Sequence, residues 1–413
     1  MKDFDVLIIG SDINAYFMAR NFHEQYGIVS HVIGKVPMLF TSTSNICEME
    51  YEPNLWEKDV FLKKLIEYAK ARHKVIGNIP IILIGTNDTY VRLIVENAEI
   101  LKQHYVFNYV DLPLLNTLSL KDEFYTKYEN YGIEFPKTYI FDCKNSMADL
   151  DEEKINSFKY PVIVKAGNGV EYFKHEFEGQ AKVYKLQTMG EVIDTINKIK
   201  QSGYINNLII QEFIPGDETM LFDAVLYSNT EGKVEFMTFA QIGLQERTIT
   251  GVGNCTVLIN GYNQFGSYSD TIYKLKEFAE SIGYKGAGEF DLKYDVRDGK
   301  YKVLEINPRQ GRSSYYATAA GHNLAKHLVD DLIYNEHKAF EIADNQVALS
   351  FVPMSVIKTY IKNNEYVKRL KRLSKEKCLI DPLKYKKDLS LKRRIWLYKR
   401  SINYNIKYKN NNW

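Results

Sequence analysis

Residues 286–314 constrain the fold of this 413-residue chain more than any other stretch. They read GAGEFDLKYD, an Asp-Gly turn, YKVLEINP and an arginine-bearing loop, a pattern typical of two antiparallel strands joined as a hairpin. Period-two alternation places Asp291 on one face of the first strand, and Glu305 and Asn307 on one face of the second. Asp291 lies opposite Glu305 only if the connecting loop holds three or five residues, with Gly299 left-handed.

The hairpin brings two carboxylates and a carboxamide together, which are the hard oxygen ligands that Mg²⁺ prefers. Mg²⁺ commonly bridges such carboxylates and the phosphates of a substrate, so the pattern points to a nucleotide. The alternative is a surface hairpin whose acids are only solvated. Apolar neighbours such as Phe290, Leu292 and Ile306, together with the Asn-Pro-Arg exit, favour the metal site.

Length and composition limit the remaining possibilities. A chain of 413 residues with 45% hydrophobic and 26% charged residues predicts a globular protein of two or three domains. No apolar run approaches a membrane span, and the opening VLIIG is too short for a signal peptide, so we expect a cytoplasmic location. Four scattered cysteines indicate reduced thiols, and no histidine or cysteine spacing indicates zinc.

Residues 1–117 predict a Rossmann-like α/β domain. The apolar run FDVLIIG, a helix over 12–25 and the strand SHVIGK form a β-α-β unit, and IPIILIG adds another strand. The turn GSDINA lacks the later glycines of a dinucleotide fingerprint, and no acid follows the second strand. A nicotinamide dehydrogenase is therefore disfavoured.

Residues 118–345 form the predicted central domain, with a lid subdomain over about 160–215. Ser119 is predicted to cap a helix that carries Lys121. Lys165 lies inside the apolar strand PVIVKA, where an ammonium group needs an anionic partner, so it is a candidate phosphate contact. After the loop 167–182, strand geometry allows only one of Lys182 and Lys185 to face the same site.

The segment NLIIQEFIPGDE predicts a strand followed by a tight acidic turn. The backbone of Glu212 to Ile214 is placed to read an adenine edge, and a carboxylate after the turn is placed to accept ribose hydroxyls. An ordinary hairpin with a solvated turn explains this segment equally well. Further on, Arg247 lies in a polar loop between two apolar runs.

Residues 346–413 form a predicted basic C-terminal extension. From Ser355 to Trp413 there are 18 Lys and Arg against 4 Asp and Glu, a net charge of +14, which leaves −12 on the first 354 residues. Lys and Arg alternate there with Tyr, Trp and Leu. The extension is predicted to dock on the acidic body, to bind a diphosphate-bearing substrate, or to make peripheral contact with an anionic membrane. No motif supports nucleic-acid binding.

Over residues 4 to about 335 the chain resembles the ATP-grasp superfamily of carboxylate-amine ligases. The resemblance rests on the order and spacing of five motifs: GIEFPKTY, PVIVKA, QEFIPGDE, GEFDLKYD and VLEINPR. The resemblance implies an α/β (α+β) ATP-grasp fold that uses ATP and two Mg²⁺ ions. It assigns Lys121, Lys165 and Lys182 to the ATP phosphates and Asp291, Glu305 and Asn307 to magnesium. It also assigns Gln211, Glu212, Phe213 and Ile214 to the adenine, Glu218 to the ribose, and Arg309, Arg312 and Arg247 to the reacting carboxylate and the transferred phosphoryl group.

The lysine-strand loop, EINPRQGRSSYY and the basic extension are most similar to D-aspartate ligases of peptidoglycan crossbridge synthesis. That resemblance implies an acyl-phosphate route that joins the β-carboxylate of D-aspartate to the lysine ε-amine of UDP-MurNAc-pentapeptide. The alternatives are an ATP-grasp ligase for another amino acid or metabolite, and a non-enzymatic nucleotide-binding module. One departure is that only Gly167 and Gly169 remain where most ATP-grasp relatives have a Gly-Gly-x-Gly loop.

Overall fold

A computed structural model of the chain describes residues 3–247, 251 and 253–411. The first and last two residues, and 248–250 and 252 in the loop after Arg247, lie outside the described residues. Three sheets organise the molecule, with strand orders β3-β2-β1-β4, β5-β8-β6-β7 and β14-β13-β9-β11-β12-β16-β17. The boundaries at 117/118 and 345/346 stay predictions.

The first sheet is parallel and carries helices on its faces, as the β-α-β pattern predicts. Its strands are β1 (Asp5–Ile9), β2 (Ser30–Gly34), β3 (Cys47–Tyr51) and β4 (Ile81–Gly85). Its helices are α1 (Ile13–Tyr26), α2 (Leu39–Ser42), α3 (Lys58–Ile76), α4 (Asp88–Glu96) and α5 (Ala98–Leu101). The Asp12 carboxylate accepts hydrogen bonds from the amides of Asn14 and Ala15, which caps α1.

The second sheet is antiparallel, and three of its four strands lie within the predicted lid subdomain. Its strands are β5 (Thr138–Asp142), β6 (Val162–Ala166), β7 (Tyr184–Leu186) and β8 (Asn207–Glu212). The helices before and within it are α6 (Leu112–Ser119), α7 (Lys121–Tyr128), α8 (Glu152–Asn156), α9 (Gly169–Tyr172) and α10 (Met189–Gln201), with a 3₁₀ turn at Met147–Asp149. The predicted cap on α7 is wrong, because Ser119 ends α6 and Leu120 takes the cap position without a side-chain bond.

The third sheet is the largest and includes nine strands. They are β9 (Leu221–Ser228), β10 (Val234–Met237), β11 (Ala240–Gln245), β12 (Cys255–Asn260), β13 (Gly286–Asp295), β14 (Lys300–Asn307), β15 (Glu341–Ile342), β16 (Val347–Ser350) and β17 (Leu379–Ile380). The helices are α11 (Ser269–Ser281), α12 (Tyr315–Ala319), α13 (Leu324–Val329), α14 (Met354–Tyr360), α15 (Asn364–Lys375) and α16 (Leu391–Asn410). A π-helical turn spans Asp330–Tyr334, and 3₁₀ turns span Glu218–Met220 and Lys386–Asp388.

The hairpin β13–β14 places Asp291 opposite Glu305, as predicted. The predicted odd loop is wrong, because four residues, 296–299, connect the strands, although Gly299 is left-handed with φ +72°. A β-bulge restores the register, since Leu292 pairs with Val303 while Asp291 pairs with Glu305, which leaves Leu304 without a partner. The Tyr125 hydroxyl donates a hydrogen bond to the Leu304 carbonyl oxygen.

The basic extension docks on the body, the first of its three predicted roles. β16 continues the large sheet beside β12, and α16 buries Arg393, Leu397, Tyr404 and Tyr408. The Arg393 guanidinium is fully buried, lies 4.0 Å from the centre of the Tyr16 ring and 3.4 Å from the Asp388 carboxylate. The extension is therefore integral to the fold. Among the described residues, no helix combines the length and apolar character needed to cross a membrane.

Candidate active site

A cleft of about 780 Å³ lies where the first domain, the lid and the hairpin meet. Its walls come from the start of α7, the loop after β6, the ends of β13 and β14, and the loop 308–313. It is lined by seven of the predicted site residues, Lys121, Lys182, Asp291, Glu305, Asn307, Arg309 and Arg312. A second cavity of about 670 Å³ beside α6 contains none of the predicted site residues.

Lys121 and Lys182 form the cationic side of the cleft, and Lys165, which is not among the lining residues, interacts electrostatically with both. Burial and the Lys182 charge lower the pKa of Lys165 to about 7, and burial and the Lys165 charge lower the pKa of Lys121 to about 8. The Lys165 ammonium lies 3.2 Å from the Tyr125 hydroxyl, and the Lys121 ammonium contacts the Glu305 carboxylate. The three cations are thus close enough to destabilise one another, which an anionic ligand would relieve.

The predicted magnesium ligands lie together on the opposite side. The Asn307 amide donates to Asp291 at 3.2 Å, and Glu305 lies across the strand pair, held by Lys121. Burial and the neighbouring Glu289 charge raise the pKa of Asp291 to about 7. Two carboxylates and an amide oxygen are a donor set that fits Mg²⁺, which would have to displace Lys121 from Glu305.

A buried pair of acids, Asp223 and Glu289, lies behind Asp291. The Ser313 hydroxyl bonds both carboxyl groups at 2.6 and 2.9 Å, and the Tyr316 hydroxyl donates to Asp223 at 2.7 Å. Burial raises the pKa of Glu289 well above its usual range and that of Asp223 to about 6, as expected for two carboxyl groups sharing one proton.

The carboxylate oxygens of Asp223, Glu289 and Asp291 lie within 4.8 Å of one another, so these acids form an alternative cation-binding cluster among the described residues. Sequence analysis missed Asp223, although an acid inside the apolar run LFDAVL is the same kind of signal that indicated Lys165. Gly311 is required beside this pair, because a Cβ there would lie 1.1 Å from a Glu289 oxygen.

The arginine loop carries two guanidinium groups into the cleft. Arg309 bonds the Asp88 carboxylate of α4 at 2.7 Å and lies 3.4 Å from the Asn307 side-chain oxygen, so the first domain helps to position it. Arg312 lies 3.6 Å from the buried Glu246 carboxylate, and its Nε has no hydrogen-bond partner. Both arginines line the cleft while protein carboxylates hold their guanidinium groups in place, an arrangement that suits an acidic ligand.

Helix α16 holds Arg312 from behind, which no sequence pattern indicated. Glu246 accepts a hydrogen bond from the Tyr404 hydroxyl at 3.2 Å and pairs with Lys407 at 3.0 Å. The same hydroxyl accepts from Arg312 at 3.4 Å and from Arg400 at 2.9 Å. Because Tyr404 and Glu246 are 158 residues apart, only the folded chain brings them together.

The residues predicted for the base and sugar lie outside the lining of this cleft. Lys185 stacks on the Phe213 ring at 4.1 Å, whereas Lys182 lines the cleft, so the two lysines face different places. Glu218 is paired with Arg247 at 2.9 Å. Gln211 donates to Thr138 of the second sheet at 2.8 Å, Glu212 pairs at 2.9 Å with Arg297 at the tip of the β13–β14 hairpin, and Ile214 is buried.

Solved structures with a similar fold include an amino acid ligase and a biotin carboxylase domain. The L-amino acid ligase from Bacillus licheniformis superposes with a TM-score of 0.56 at 15% identity, covering 81% of this chain and 75% of that chain. The biotin carboxylase domain of the Hydrogenobacter thermophilus 2-oxoglutarate carboxylase, solved with MgADP, ADP and bicarbonate, gives 0.58 at 14% identity, covering 84% and 73%. No family model matches the sequence.

Two lysines beside a carboxylate-lined hairpin, in this fold, define the class of the protein: it is an ATP-grasp carboxylate-amine ligase. A curated relative narrows the class, since the D-aspartate ligase of Enterococcus faecium (strain Aus0004) is 33% identical over 404 residues, 96% of this chain and 93% of the relative. The chain belongs to the D-aspartate ligase family.

Proposed function

We propose that the chain joins the β-carboxylate of D-aspartate to the lysine ε-amine of UDP-MurNAc-pentapeptide through an acyl phosphate, at the expense of ATP. The observation that carries this proposal is the full-length similarity to a D-aspartate ligase. The site supports it, because two guanidinium groups in one cleft suit a donor with two carboxylates.

Lys121, Lys165 and Lys182 would hold the ATP phosphates. Their mutual repulsion would be relieved by negatively charged phosphates. Transfer of the γ-phosphoryl group to a carboxylate needs positioning and charge compensation more than covalent chemistry. The adenine would lie along 211–214 and the ribose at Glu218, with Arg247 moving from Glu218 toward the phosphates.

Asp291, Glu305 and Asn307 would hold two Mg²⁺ ions, which when bound supply Lewis-acid neutralisation of the phosphate charge. The Asn307 side chain, whose NH₂ group donates to Asp291 in the structure, would instead present its amide oxygen to the metal. Release of Lys121 from Glu305 would free that ammonium group to bond a phosphate. Nucleotide binding and metal binding are then coupled through this one pair.

Arg309 and Arg312 would orient the carboxylate donor and stabilise the oxyanion that forms when the amine attacks. Arg312 lines the cleft, and Glu246 holds that guanidinium in place. The loop 167–182, with Glu171 and Lys182 on the cleft wall, would close over the acyl phosphate and exclude water. A cytoplasmic location, where ATP and UDP-linked precursors are available, belongs to this proposal.

ADP release from Mg-ATP tests the proposal, with UDP-MurNAc-pentapeptide present and D- and L-amino acids added singly. We expect a rise confined to D-aspartate and an amide product of the expected mass. Glu305→Ala is the blank, with turnover reduced about 10³-fold by loss of a metal ligand. A rise with another amino acid would refute the substrate, and normal turnover of Glu305→Ala would refute the metal assignment.

A further inference from the structure

Helix α16 has an outward face that the fold leaves uncovered. Its inner face is buried through Arg393, Leu397, Tyr404 and Tyr408. On the other side, large apolar side chains are exposed, with exposed fractions between 44% and 75%: Leu391, Ile395, Tyr398, Ile402 and Ile406. Their spacing of 4, 3, 4 and 4 residues places them along one stripe of a 20-residue helix.

Cations border this apolar stripe. The exposed basic residues of the helix are Lys392, Arg394, Lys399 and Lys409, each three or four residues from a member of the stripe. The 20 residues of α16 include no acid. The outward face therefore combines an apolar centre with a border whose charged residues are all positive.

The first domain adds apolar surface close to the start of the helix. Phe40 of α2 contacts Trp396 with ring centroids 5.3 Å apart, and Arg393 bonds the Phe40 carbonyl oxygen at 2.8 Å. The residues just before Phe40 include the exposed Met38 and Leu39. Two separate segments thus leave apolar side chains exposed in the same region.

We propose that the outward face of α16 binds the surface of an anionic lipid bilayer, with the helix lying parallel to the membrane plane. An apolar stripe with a positive border matches the boundary between acyl chains and anionic headgroups. A second copy of the chain is a poorer occupant, because pairing two of these helices would bring like charges together. The net charge of −12 on residues 1–354 would keep the rest of the molecule off the membrane and orient it.

Vesicle flotation of the full chain tests this proposal. We expect partition onto vesicles of phosphatidylcholine with 30% phosphatidylglycerol to exceed partition onto phosphatidylcholine alone at least tenfold, and to weaken in 0.5 M salt. The double variant Ile395→Glu/Ile402→Glu should lose at least tenfold. Neutralising Lys392, Arg394 and Lys399 with Gln should cost about fivefold per cation.

The control is Val75→Glu, which places one glutamate on a more exposed apolar residue near the end of α3 and should leave binding unchanged. Far-ultraviolet circular dichroism and ADP release should match the parent in every variant, because these side chains point away from the cleft. Equal partition onto both vesicles, or none, would overturn the proposal. So would a dimer in sedimentation velocity that Ile395→Glu/Ile402→Glu dissociates.

Discussion

The titration of the cleft gives the sharpest test of the phosphate and metal roles. Burial and neighbouring charges bring the pKa to about 7 for Lys165, about 8 for Lys121 and about 7 for Asp291. A phosphate favours charged lysines, so nucleotide binding takes up protons above these values. A metal ion favours charged Asp291, so metal binding releases a proton below pH 7. The net proton exchange must therefore change sign with pH.

The expected magnitudes follow from these pKa values. At pH 8, binding of Mg-ADP would add about 0.9 proton to Lys165 and about 0.5 proton to Lys121, while Asp291 would release about 0.1 proton. The net uptake is about 1.3 protons per bound nucleotide. At pH 6 both lysines are already charged and Asp291 is mostly protonated, so about 0.8 proton is released.

Isothermal titration calorimetry measures this exchange. ADP is titrated in saturating Mg²⁺, in pairs of buffers that share a pH and differ in ionisation enthalpy, and the slope of the observed enthalpy gives the proton number. Lys165→Met should reduce the uptake at pH 8 to below about 0.4, because loss of the Lys165 charge also raises the pKa of Lys121, and should leave the exchange at pH 6 nearly unchanged. Asp291→Asn should abolish the release at pH 6. Tight binding with no exchange at pH 8 would refute the phosphate role of the lysines.

Two further predictions concern the extension. Tyr404→Phe removes the hydroxyl that Arg312, Arg400 and Glu246 share. In steady-state assays KM for the carboxylate donor should rise about 5- to 10-fold, a loss of about 1–1.5 kcal/mol of binding free energy, while KM for ATP stays unchanged. An equal rise in both KM values would contradict a role through Arg312. Gly243→Ala would place a methyl group 2.3 Å from the Tyr366 ring of α15 and should destabilise the fold by about 1–3 kcal/mol, measured as a lower midpoint of thermal unfolding. The control Gly190→Ala in α10 meets nothing closer than 3.9 Å and should leave the midpoint unchanged. Equal midpoints for the two variants would show that the large sheet adjusts at that contact.

Local patterns were sufficient for much of the fold and for the residues that line the cleft. Alternation placed Glu305 and Asn307 on one face of β14, and both line the cleft. An ammonium group inside an apolar strand singled out Lys165, whose charge acts on Lys121 although it is not among the lining residues. These signals depend on residues close in sequence. Even so, β3 and the long helix α3 were not assigned, although the buried Phe61, Leu65 and Ala69 follow helical spacing.

The parts that escaped prediction depend on distant contacts or on a single extra residue. Glu246 reads as an ordinary loop acid until Tyr404 and Lys407 reach it from α16. Leu304 is an ordinary residue for a strand, so the local sequence does not reveal whether the extra residue lies in a β-bulge or in the turn. The domain boundaries and the roles of the individual site residues stay predictions.

The bulge at Leu304 makes the tip of the hairpin and its bulged segment differ in how well they tolerate insertions and deletions. Because the bulge, and not the tip, sets which face carries Glu305, the tip at 296–299 can gain or lose residues without rotating either acid. Loss of one residue between Val303 and Glu305 would instead turn that acid to the opposite face of the sheet. An alignment of the family should therefore gather its gaps at the tip and keep its length constant across 303–305.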